Sequence, residues 1–233
     1  MKETKSDFSQ DNRYDYSDEE FLKMGEKIEK PAKKLKIITV SVIGIMLLFG
    51  CCLGDRILKE SMSTGSIIQG TGEMVDGINK MVKANQGAEI SFKNAIKSFD
   101  EAIKQNKNCS DAYFFMGVTF YHWYIYENRI GTSERNFIED LGKKTESNLI
   151  KATQIKRKFP EAYIYLGSYY CLKGMNSKAR ASLDMAKKIA EKIWKDKEKK
   201  KNKWFPYIER AQGLIKDNKI CDIPPPLPDG IGL

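Results

Sequence analysis

The chain has 233 residues, 41% of them hydrophobic and 30% charged, with a formal charge of +9. That length suits one folded unit with flanking segments, and the apolar share supports a core over part of the chain. The positive excess gathers in residues 23–36 and 195–203, without RNA-recognition, zinc-finger or basic-zipper spacing, so nucleic acid is not an expected partner.

Residues 1–34 are polar, acidic-aromatic and then basic, and their first two-thirds lack apolar periodicity, which predicts a disordered cytoplasmic tail. Residues 35–54 hold the one strongly apolar run. Residues 37–53 read IITVSVIGIMLLFGCCL without a charge. As a helix this run covers about 26 Å, against about 30 Å for a hydrocarbon core. Lys34, Lys36 and Arg56 can snorkel to close the difference. Lys27, Lys30, Lys33, Lys34 and Lys36 precede the run, so the positive-inside rule keeps the N-terminus cytoplasmic and sends the rest across. Leu48-Phe49-Gly50-Cys51 resembles a bacterial lipobox, which would place a lipid on Cys51. The long leader containing Asp18, Glu19 and Glu20 is unlike a short basic n-region and favours an uncleaved signal anchor. Both readings put the remaining chain outside the cytoplasm.

Residues 55–87 are amphipathic but punctuated by Gly65, Gly70, Gly72, Gly77 and Gly87. Met74, Ile78, Met81 and Val82 predict one helix face, preceded by a loose juxtamembrane linker. A phosphate-binding loop is excluded, because Thr71 stands where its lysine is required.

Residues 88–216 contain an internal repeat. Tyr113-Phe114-Phe115-Met116-Gly117-Val118-Thr119-Phe120 returns in form as Tyr163-Ile164-Tyr165-Leu166-Gly167-Ser168-Tyr169-Tyr170. A second pattern recurs as Ala95/Phe99/Ala102, Thr145/Leu149/Ala152 and Ala179/Leu183/Ala186. Ala152 and Ala186 stand 34 residues apart, whereas Gly117 and Gly167 stand 50 apart. This alternation resembles the tetratricopeptide-repeat (TPR) family, whose 34-residue unit is a helix-turn-helix carrying W-x2-L-G-x2-Y and then A-x3-F. The resemblance covers residues 88–190 and implies an all-α solenoid of two and a half to three repeats. Glycine in the first helix of each unit lets its partner approach, and alanines in the second meet the next repeat.

The excess spacing marks an insertion near residues 127–144. Gly131-Thr132-Ser133-Glu134 offers a turn, with Thr132 or Ser133 capping a helix through Leu141. The added residues either form a surface loop or lengthen the two helices. A charged helix is expected from Ala186 to about Lys203, broken by Trp204-Phe205-Pro206 before a short capping helix through Lys216. Residues 217–233 carry Pro224-Pro225-Pro226-Leu227-Pro228, an extended segment or plain terminus.

No catalytic, cofactor or metal site is expected. The one histidine, His122, lies among Tyr121, Trp123 and Tyr124, where packing accounts for it. Cys109, Cys171 and Cys221 lack C-x-x-C spacing, though export would allow one disulfide among them. The resemblance implies a non-catalytic scaffold holding a protein partner in a groove lined by the first helix of each unit. Carried over by position, that groove presents Asp111, Phe114, Val118, Tyr121 and His122, then Glu161, Ile164, Ser168 and Cys171. The alternative is an exported lipoprotein serving as the ligand-binding accessory of a solute-uptake system.

Overall fold

A computed structural model describes residues 51–83, 87–131, 134–217, 219 and 224–228. The expected cytoplasmic tail, and the apolar run up to Gly50, lie outside the described residues. Among the described residues no helix is long and apolar enough to cross a membrane.

Those residues form seven helices and no strand. They are α1 (Cys51–Val82), α2 (Ala88–Gln105), α3 (Ser110–Ile130), α4 (Arg135–Ile155), α5 (Pro160–Leu172), α6 (Asn176–Ile193) and α7 (Glu198–Lys216). The closest packing joins α1 to α2, α3 to α4 and α5 to α6, so three antiparallel hairpins follow one another. The odd-numbered helices also touch in series: α1 with α3, α3 with α5, and α5 with α7. They therefore line one side of the stack, and α2, α4 and α6 line the other.

Residues 61–82, expected to be partly linker, continue a helix that begins at Cys51. Its five glycines weaken it by about 1 kcal/mol each relative to alanine, so packing must hold it. Of its buried positions, Ser63, Ile67, Gly70, Met74, Gly77 and Met81 alternate by four and three residues, and Ile78 is buried beside Gly77. Ala88, Phe92, Ala95, Phe99 and Ala102 do the same along α2. That is the seam of two helices packed knobs into holes. The glycines are the holes. A Cβ on Gly70 would lie 2.7 Å from the Phe99 ring, and one on Gly77 would lie 2.7 Å from Phe92.

The device recurs in the next two pairs. A Cβ on Gly117 would stand 2.8 Å from Leu149 Cγ, and one on Gly167 would stand 2.7 Å from Leu183 Cγ. Phe99, Leu149 and Leu183 are the middle residues of the three Ala-x3-apolar patterns. Sequence periodicity thus located the second helix of every pair, but missed α1 as the first helix of the first.

The insertion lengthens helices. Both α3 and α4 have 21 residues, against 13 in α5 and 18 in α6. Gly131 ends α3 at φ 64°, a left-handed C-cap that glycine adopts without steric cost. The expected helix stopping at Leu141 instead runs to Ile155, and its N-cap is Glu134, without a side-chain cap bond. Thr132 and Ser133 lie outside the described residues.

A second correction concerns the C-terminal break. It falls at Trp194–Lys197, and Pro206 sits inside α7. Pro206 and Asn202 are both exposed, so the carbonyl freed by the missing N–H faces water. Trp194 and Trp204 are both buried, with ring centroids 6.4 Å apart. Bringing those two indoles together requires the chain to reverse between them.

Candidate functional site

The side lined by α3, α5 and α7 is an aromatic interior. The α3 sequence SDAYFFMGVTFYHWYIYENRI is apolar on nearly every face, as suits a helix enclosed by neighbours. Of the nine expected groove residues, seven are buried: Phe114, Val118, Tyr121, His122, Ile164, Ser168 and Cys171. They knit successive odd-numbered helices together. Phe114 packs on Phe159 at 4.7 Å and Tyr165 at 5.8 Å. Ser168 exchanges a hydrogen bond of 2.6 Å with the Tyr207 hydroxyl of α7, and also donates to the Ile164 carbonyl. Asp111 and Glu161 lie at the rim. Lys156 approaches Asp111 at 3.5 Å, and Lys200 donates to Glu161 at 2.7 Å.

The centre of this side is Tyr165, which the expected groove omitted. Its ring meets Tyr121 at 5.4 Å, His122 at 6.2 Å and Trp204 at 6.5 Å. Its hydroxyl donates to the Pro226 carbonyl at 3.3 Å. Residues 224–228 are therefore packed against the helical unit: Pro225 is buried, and Leu227 packs partly buried against the core.

This cluster is polar as well as aromatic. The Trp204 indole Nε1 and both His122 ring nitrogens are buried without a protein hydrogen-bond partner. Complete burial pushes the His122 pKa down to about 3, which keeps the imidazole neutral with one donor and one acceptor. Burial also raises the Tyr165 phenol well above its ordinary value, so its hydroxyl stays a donor.

The chain matches no family model, curated protein or solved structure.

Tyr165, Trp204 and Tyr207 are the members that sequence reasoning missed. Trp204, Ile208, Ala211 and Ile215 repeat at four, three and four residues and mark a buried helix face. Pro206, a residue that normally interrupts a helix, masks that signal in the sequence. Cys171 is disulfide-bonded and Cys109 is free, which removes Cys109 from the expected set of three. The lengthened ends of α3 and α4 border a separate open depression lined by Tyr124, Asn128, Arg135, Ile138, Glu139 and Lys173.

Proposed function

We propose that the chain is a non-catalytic scaffold of the tetratricopeptide-repeat type, anchored through residues 37–53, which binds a partner segment on the side lined by its odd-numbered helices. The observation that carries this reading is the repeated socket, in which Gly70, Gly117 and Gly167 each receive the large residue of a following helix. A stack built by repeating one hairpin produces a continuous side formed by the first helices, and solenoids bind along such surfaces. The cytoplasmic N-terminus and extracytoplasmic stack follow from the lysine flank. The disulfide at Cys171 supports an oxidising compartment.

The test places a photo-crosslinking residue at Asp111 or Glu161 on the rim, or at Lys151 on the opposite side, in the full chain in native membranes. A discrete protein adduct from the two rim positions and none from Lys151 is expected. Equal labelling from both sides, or from neither, defeats the assignment.

The lipoprotein alternative draws support from the buried His122 and Trp204 nitrogens, which a small polar solute would satisfy. Intact mass distinguishes the anchors. An acylated Cys51 at the mature N-terminus supports the lipoprotein, and retained Met1 supports the signal anchor.

A further inference from the structure

A proline-rich strand offers carbonyl acceptors but, at each proline, no backbone donor. Surfaces that recognise such strands present aromatic rings carrying donors. The cluster around Tyr165 has that composition: a phenol already donating to a proline carbonyl, an indole that can only donate, and a neutral imidazole with one N–H. With residues 224–228 in place the His122 and Trp204 nitrogens stay buried without protein partners, a cost that a partner segment reaching them with its carbonyls would relieve. What lies against Tyr165, the centre of this cluster, is already proline-rich, namely residues 224–228 of the same chain.

We propose that the cluster of Tyr165, His122 and Trp204 is a binding site for an extended proline-rich segment of a partner protein, which residues 224–228 occupy as a resident competitor. This rests on the scaffold reading and specifies its ligand. Among the described tail residues Pro225 is buried and Leu227 partly so. The advantage of the tail is covalent connection, which gives a segment tethered by a short linker an effective concentration of roughly millimolar. A free segment therefore competes poorly until the tail is weakened.

The test uses the detergent-solubilised full chain and a fluorescent peptide copying residues 222–230, read by anisotropy. The Pro225→Asp/Leu227→Asp tail variant should bind the peptide at least about tenfold more tightly than the unaltered chain, the expected effect of removing a tethered competitor. Adding Tyr165→Phe to that variant should weaken binding by about three- to tenfold, the loss of one neutral hydrogen bond. Equal affinity for the two chains overturns the proposal, as does equal binding of a scrambled peptide. Loss of cooperative thermal unfolding in the tail variant also overturns it, because the segment would then be part of the core. Rim-specific crosslinking that survives any of these results leaves the scaffold reading standing and removes only the proline chemistry.

Discussion

The first and third helix pairs close around the same glycine socket with their rings on opposite partners. In the first pair the glycine-rich helix is α1, and α2 supplies Phe92 and Phe99. In the third pair the glycine helix α5 is itself rich in tyrosine, and α6 supplies only Leu183 between Ala179 and Ala186. What the pairs share is the fit of one large side chain over a missing one, while the aromatic decoration belongs to contacts between pairs. The first pair is consequently an aliphatic and phenyl seam without a tyrosine or histidine. The later pairs bury phenols and an imidazole.

The largest expected effect comes from emptying the first socket. Phe99 is fully buried and stacks on Phe115 of α3 at 6.0 Å. Phe99→Ala should cost about 3–5 kcal/mol, the range for a buried phenylalanine. Because each hairpin in a stack contacts only its neighbours and stability is roughly a sum of local and nearest-neighbour terms, hydrogen exchange should accelerate in α1 and α2 while α5 and α6 stay protected. Uniform acceleration across all seven helices would mean that the pairs do not differ in this way.

Titration separates the same regions less strongly. The His122 pKa, depressed to about 3 by burial, lies below its unfolded value. The stability that neutral His122 allows is therefore present above about 6.5 and declines as pH falls toward 3. At pH 5 the loss should be about 2 kcal/mol, at about 1.4 kcal/mol per pH unit. At the alkaline end, burial and then Glu146 and Tyr124 raise Tyr169 to about 12. Its contribution is complete below about 10 and disappears as pH rises through the folded value. In the first pair burial raises the Asp76 carboxyl, but hydrogen bonds from Lys80 and Ser91 leave it below its ordinary value. That contribution is lost as pH falls through the folded value, and exposure keeps it small. Urea midpoints at pH 7 and pH 5 should differ in the unaltered chain and much less in His122→Leu. The same drop in both would remove His122 as the source.

The sequence made the helical class legible because Ala95/Phe99/Ala102, Thr145/Leu149/Ala152 and Ala179/Leu183/Ala186 each carry a buried face at helical spacing. It hid the part of α1 before Met74 because Ser66, Gln69 and Glu73 stand around Gly70 where aromatics and apolar residues surround Gly117 and Gly167. A four-three alternation from Ser63 to Met81 was the surviving signal. The functional side was harder to read. Family positions select residues by register, whereas burial depends on α7 and residues 224–228 arriving from far along the chain. Tyr165 was visible as a motif aromatic, but nothing local to it announces Pro226, 61 residues away.

The smallest expected effect tests the opening contrast most directly. At Gly167 an added Cβ meets Leu183 at 2.7 Å and the Ala179 backbone carbonyl at 3.3 Å, so the helices themselves must separate. At Gly70 the three nearest atoms all belong to the Phe99 ring and none to the backbone, so a side chain rather than the helix has to shift. Overpacking costs about 1–3 kcal/mol and replacing a helical glycine with alanine returns about 1 kcal/mol. Gly167→Ala should therefore lose about 1 kcal/mol, while Gly70→Ala should stay within about 0.5 kcal/mol of the unaltered chain. Denaturant midpoints at constant m-value measure both. If Gly70→Ala costs as much as Gly167→Ala, the first socket is closed by rigid backbone contact like the third. The distinction between ring-filled and backbone-limited pairs would then have to be abandoned.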